Sequence, residues 1–289
     1  MTGEAKGMWL GLLGVAAFSL TLPATRVAVA SLSPLFVGMG RVVVAALPAA
    51  IYLLLNRRGW PSRKQFKSLV VVALGVAFGF PVLSALAMRE VDASHAGIML
   101  GVLPLATAAA GAAFSGERPS AGFWAMALLG SLLVVAFSLK EGGGSVNWAD
   151  MALLAAVASA AIGYAEGTRL TRSLGGVQVI SWAVVIAAPV LLIPAGVFAP
   201  VSVAVPLEAW LAFLYVSLVS QFLGFIPWYR GLALGGIARV GQTQLLQPFF
   251  TLAAAALFLS ESVDALALVI AVLVCLTVAV GRKMRVATP

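Results

Sequence analysis

Ten apolar runs follow one another along this chain, separated by short polar or basic breaks: near 8–30, 34–55, 67–89, 94–115, 120–139, 148–170, 177–198, 207–230, 237–260 and 263–281. A bilayer core about 30 Å thick takes roughly 20 apolar residues to cross as a helix, so each run predicts a spanning helix. Barrel strands would instead alternate over segments of about 10 residues. The longest polar connection, Lys140 to Asn147, contains Gly142-Gly143-Gly144-Ser145 and reads as a flexible joint. It divides the chain into a five-helix unit at 1–141, a linker at 142–147 and a second five-helix unit at 148–289. Met1–Met8 leads into a full span without a small-residue cleavage site, so it does not read as a signal peptide.

Composition agrees. Of 289 residues 62% are hydrophobic and 10% charged, against about 25% charged in a soluble domain. The lone Cys275 and lone His95 exclude an intrachain disulfide and leave no set of soft metal ligands, so no metal or other cofactor is expected. The net charge of +8 is unevenly placed. Fourteen Lys and Arg fall on one side of the predicted spans, with the densest patch from Arg57 to Lys67. Only Arg26, Arg89 and Lys140 fall on the other, and Arg41 lies within a span. The positive-inside rule then puts both termini in the cytoplasm and assigns the basic surplus to the membrane surface, not to nucleic acid.

One stretch occurs twice. Gly97, Pro104, Thr107, Phe114 and Glu117 return 144 residues later as Gly241, Pro248, Thr251, Phe258 and Glu261. Five spans per half is an odd number, so the second half enters the membrane inverted. The predicted fold is an all-α membrane protein of ten transmembrane helices in two inverted five-helix repeats. Such repeats, with Pro inside apolar segments, point to a secondary transporter whose substrate site lies between the halves.

Five plus five spans, Pro34-x6-Arg41 in the second, and Pro104 through Glu117 to Gly122 closing the fourth resemble the EamA family of the drug/metabolite transporter superfamily. The resemblance runs from about Gly7 to Gly281, and within the family the chain looks most like the YddG-type exporters of aromatic amino acids. It implies a gradient-linked or facilitated exporter in the bacterial inner membrane. It also implies a central cavity among spans one to four and six to nine, with spans five and ten outside. Arg41 departs from the repeat, since its second-half counterpart is Val185.

Several residues carry candidate roles. Pro104 and Pro248 each remove a helix hydrogen bond and are candidate hinges, or simply packing prolines. Glu117 and Glu261 lie near helix ends, where each either caps the next helix or takes part in coupling. Glu166, the one acidic residue well inside a span, is a candidate for proton coupling, yet Arg169 three residues on offers it a structural partner. His95 is either a rim residue or a relay. Arg41 either receives a substrate carboxylate or ties neighbouring carbonyls. Gln242, Thr243, Gln244 and Gln247 make the ninth span the most polar, as cavity lining or as helix-to-helix bonds. Tyr164, Met99 and Trp228 could stack on an aromatic or apolar substrate. Gly75-x3-Gly79 and Gly97-x3-Gly101 permit close helix packing, within the chain or between copies, which leaves the oligomeric state open.

The function expected is export of a small amphiphilic metabolite, an aromatic or apolar amino acid foremost, by alternating access. No phosphate-binding loop of the G-x4-G-K-[ST] form is present. A broad exporter of lipophilic cations would need negative cavity charge, of which Glu166 is the only source. A membrane-embedded enzyme would have Glu90, Asp92 and His95 to work with, but has no need of an inverted repeat, so a non-enzyme is expected.

Overall fold

The computed structural model describes residues 3–115, 118–141, 147–200, 204–235, 240–284 and 286–287, which are almost wholly helical. Among the described residues seven helices are long and apolar enough to cross a membrane: α1 (Ala5–Ser31), α2 (Pro34–Leu55), α3 (Arg63–Ala87), α4 (Ala93–Ala113), α6 (Trp148–Leu174), α7 (Gly176–Val197) and α8 (Leu207–Leu234). Three shorter apolar helices complete the series: α5 (Ala121–Phe137), α9 (Thr243–Leu259) and α10 (Ala265–Gly281). A two-residue antiparallel pairing of β1 (Arg118–Pro119) with β2 (Val286–Ala287) is the one strand contact among the described residues. Glu117, Arg239, linker residues 142–146 and the side chain of Gln242 lie outside the described residues.

Local sequence sets the helix ends. Pro34, with its φ fixed and no N–H to lose, opens α2. Ser62 and Gln65 form a capping box at the start of α3, and Asn147 and Asp150 form another at α6. Gly175, at φ +82°, ends α6 and turns the chain straight into α7, a backbone conformation that side chains disfavour. The start of α4 is capped from the other half of the chain: both carboxylate oxygens of Glu261 accept backbone N–H groups, from Ala93 at 2.9 Å and Ser94 at 2.8 Å.

The helical distortions repeat as the sequence does. α3 carries a π-helical stretch at Ala73–Gly79, and α8 carries one at Tyr215–Leu223. A shift of 144 residues takes the first onto 217–223. Tight 3-10 turns at Leu100–Val102 and Gly241–Leu246 are related by the same shift. Pro104 and Pro248 follow one residue further on, where the missing N–H leaves the preceding turn free to tighten.

Packing also interchanges the halves. α1 of the first half packs on α8 and α9 of the second; reciprocally, α6 packs on α3 and α4. Helices α2 and α7 pair with each other, α4 packs on α9, and α5 pairs with α10 away from the centre. The core is therefore built across the halves, while Leu47, Leu54, Val190 and Ile193 stay exposed on α2 and α7 as lipid-facing surface would require. The two glycine motifs serve contacts inside the chain. A Cβ on Gly75 would lie 2.8 Å from the Cα of Gly163 on α6, and one on Gly97 would lie 2.8 Å from Thr251 of α9.

Candidate transport site

A narrow gap lies where the two halves meet. Phe18 and Thr21 of α1, Arg41 of α2, Val76 and Phe80 of α3, and Leu103 of α4 face Ala160 and Tyr164 of α6, Ser220, Gln221 and Phe225 of α8, and Gln247 of α9. Val76 and Ser220 are repeat partners, as are Leu103 and Gln247, so the gap straddles the relation between the halves. None of its described lining residues comes from α5 or α10.

Its polar centre is Arg41, a side chain only 2% exposed. Nη2 donates to Ser220 Oγ at 2.7 Å, and that hydroxyl is 2.8 Å from Thr21 Oγ1. Nε and Nη1 have no hydrogen-bond partner among the described residues. Beside it Gln221 donates to the carbonyl of Val76 at 2.9 Å, one of the backbone groups that the π-helical stretch displaces from regular pairing. One wall is aromatic: the Phe18 ring stands 4.9 Å from that of Phe225 and 6.2 Å from that of Trp228, and Tyr164 is 5.9 Å from Trp228.

These rings nearly fill the centre. The space open to a water-sized sphere is about 20 Å³, room for about one water, so the central cavity that the resemblance implied is a contracted gap in this conformation. A larger recess of about 530 Å³ opens between the end of α1 and the start of α8, with Arg26, Arg89 and Glu208 on its rim.

The residues singled out from the sequence divide between this gap and other places. Arg41, Tyr164 and Gln247 line it. Trp228 is buried behind it with its indole N–H unpartnered among the described residues. Thr243 is buried and donates to Val240 O three residues earlier, and Gln244 is buried with neither amide atom partnered among the described residues. Met99 is wholly buried in the packing around α4. Glu166 lies outside the gap, clasped by Arg169, whose guanidinium also donates to Ser68 Oγ of α3 at 2.9 Å. His95 is likewise elsewhere: Nε2 stands 2.7 Å from Oδ1 of the fully buried Asp150, and the ring packs 5.2 Å from Phe137. Phe18, Thr21, Phe80, Ser220 and Phe225 escaped the sequence reading. Single hydroxyls and phenyl rings are ordinary in apolar helices, and only the repeat shift from Val76 to Ser220 could have drawn attention to one of them.

A bundle of apolar helices with repeated distortions around a buried polar centre defines a multi-pass membrane protein of the transporter type. The EamA-like transporter family model matches residues 5–139 and again 147–280, and the chain belongs to that family. It is 47% identical over 284 residues to a Bacillus subtilis (strain 168) protein described as uncharacterized transporter YdeK, covering 98% of this chain and 99% of that one. A solved structure titled only "Crystal structure of protein" superposes with a TM-score of 0.67 over 96% of both chains at 17% identity, which shows a shared fold.

Proposed function

We propose that the protein is a secondary transporter that exports small amphiphilic metabolites, foremost amino acids with aromatic or apolar side chains, across the bacterial inner membrane. In this reading all ten helices cross the bilayer, the second five inverted relative to the first, with both termini cytoplasmic. The halves rock about the matched distortions in α3, α4, α8 and α9, exposing the gap to each side in turn. Pro104 and Pro248 act as hinges. Arg41 with Ser220 and Thr21 receives the polar head of the substrate, while Phe18, Tyr164, Phe225 and Trp228 receive its body. Gln247 lines the path and the amides of Gln242 and Gln244 join it as α9 moves. Glu166 and His95 are the candidates for coupling, each through the partner it now holds. The coincidence of an uncompensated buried guanidinium with an aromatic wall, between two structurally repeated halves, carries this reading.

Reconstitution into liposomes tests it. Labelled phenylalanine, tryptophan and threonine should exchange faster than in empty vesicles, and the first two faster than threonine. Flux no greater than in protein-free vesicles for all three would reject it. Reporter fusions at each terminus test the orientation, and activity only of cytoplasm-specific reporters is the expected result.

A further inference from the structure

Taking the gap to be the substrate site just proposed, we infer that its order of preference departs from the amino acids named above: it accepts them, but binds more tightly a net anionic amphiphile, a carboxylate or sulfonate on an aromatic or apolar body without an ammonium group. Two observations carry this. The first is the state of Arg41. It is 2% exposed, and its only hydrogen bond among the described residues goes to a neutral hydroxyl, Ser220 Oγ. Nε and Nη1 remain unpartnered there, and each lies on a different one of the fork's two carboxylate-binding edges. Nη2 has one proton on each edge and gives one of them to Ser220, so the other edge keeps two free donors that can close on an oxyanion.

The second observation is the charge around it. Arg41 is the one charged side chain among the described residues that line the gap. No described carboxylate enters that lining, and four are committed to other partners. Glu166 is held by Arg169, Asp150 stands against His95, Asp92 meets Arg26 at 3.3 Å, and Glu261 caps α4. A buried cation without a counterion is strongly unfavourable, and an incoming anion supplies what the protein leaves out. An ammonium group would meet the reverse: repulsion from Arg41 and no carboxylate to receive it. Phe18, Phe80 and Phe225 then suit an aromatic or branched apolar body.

The site thus grades ligands by charge more than by shape. Probes that differ from phenylalanine by one group test this directly. 3-Phenylpropionate lacks its ammonium, phenethylamine lacks its carboxylate, 3-phenylpropionamide is the neutral counterpart, and 2-phenylethanesulfonate stays ionised at every working pH. Binding is measured on the purified full-length protein in nanodiscs, and flux in liposomes. The two anions should bind at least ten-fold tighter than phenylalanine and the amide, with no saturable binding of phenethylamine. In Arg41→Gln the ratio of anion to amide affinity should fall to near one. In Arg41→Lys the anion preference should persist at reduced affinity, which keeps the test alive if the glutamine variant does not fold. A ratio unchanged in Arg41→Gln, or one lost in Arg41→Lys with amide binding intact, would overturn the inference. Phenylalanine or phenethylamine binding as tightly as 3-phenylpropionate would overturn it too, while leaving the transport reading in place. If no probe binds or moves, the transport reading fails and takes the inference with it.

Discussion

Thr107 and Thr251 occupy equivalent positions in the two repeats, yet only one of them has a job to do. Pro23 has no N–H to offer the carbonyl of Ser19 one turn earlier, and α1 breaks at Leu20. Thr251 Oγ1 donates to that orphaned carbonyl at 2.9 Å. In the second half the residue equivalent to Pro23 is Gly167, which keeps its N–H, and α6 runs unbroken. The Thr107 hydroxyl is buried without a partner among the described residues. Thr251→Val should therefore lower stability by about 1–3 kcal/mol, the cost of stranding a buried acceptor, whereas Thr107→Val should be close to neutral. Thermal unfolding of the two variants in one detergent checks this, and equal shifts would contradict it. The repeat motif announced both threonines from sequence alone. Which one is bonded depended on a proline in a different helix, more than 200 residues away.

At the level of the helix, glycine placement separates close contact from free space. Gly75 and Gly163 bring α3 and α6 together backbone to backbone, and a methyl on Gly75 would lie 2.7 Å from the carbonyl of Ser159. Gly111 on α4 has open space around its would-be Cβ. Gly75→Ala should destabilise by about 1–3 kcal/mol through overpacking against rigid backbone, while Gly111→Ala should be neutral or stabilise by up to about 1 kcal/mol from helix propensity. Chemical denaturation of the purified variants distinguishes the two, and a stabilised Gly75→Ala would mean that α3 and α6 can separate at no cost. The π-helical stretches in α3 and α8 were invisible in the hydrophobic pattern. A single inserted backbone residue leaves apolar periodicity almost intact in a helix that is apolar on nearly every face. Close backbone approach and displaced carbonyls become apparent only when the neighbouring helix is in place.

Across the whole molecule the two halves are joined by charged and polar contacts at their ends as well as by apolar packing. Glu261, at the end of α9, holds the first two amides of α4, and Arg169 of α6 reaches Ser68 of α3. Replacing Glu261 with Ala should raise hydrogen exchange at Ala93 and Ser94 at least ten-fold, because those N–H groups lose their only carboxylate acceptor, while the amides of α6 stay as they were. Exchange mass spectrometry gives the answer, and unchanged protection would mean that another group caps α4. The sequence by itself determined that this is a helical membrane protein of two repeated halves, because apolar run length, charge placement and a motif recurring at one fixed interval are one-dimensional quantities. It also brought Arg41, Tyr164 and Gln247 forward, since polar groups in an apolar run stand out without any structure. Only the tertiary structure decided that those three meet at one gap while Glu166 and His95 pair elsewhere. The reason is physical: where a buried polar side chain ends depends on which partners surrounding helices bring within hydrogen-bond reach, and for Arg41 and His95 those partners, Ser220 and Asp150, come from the opposite half of the chain.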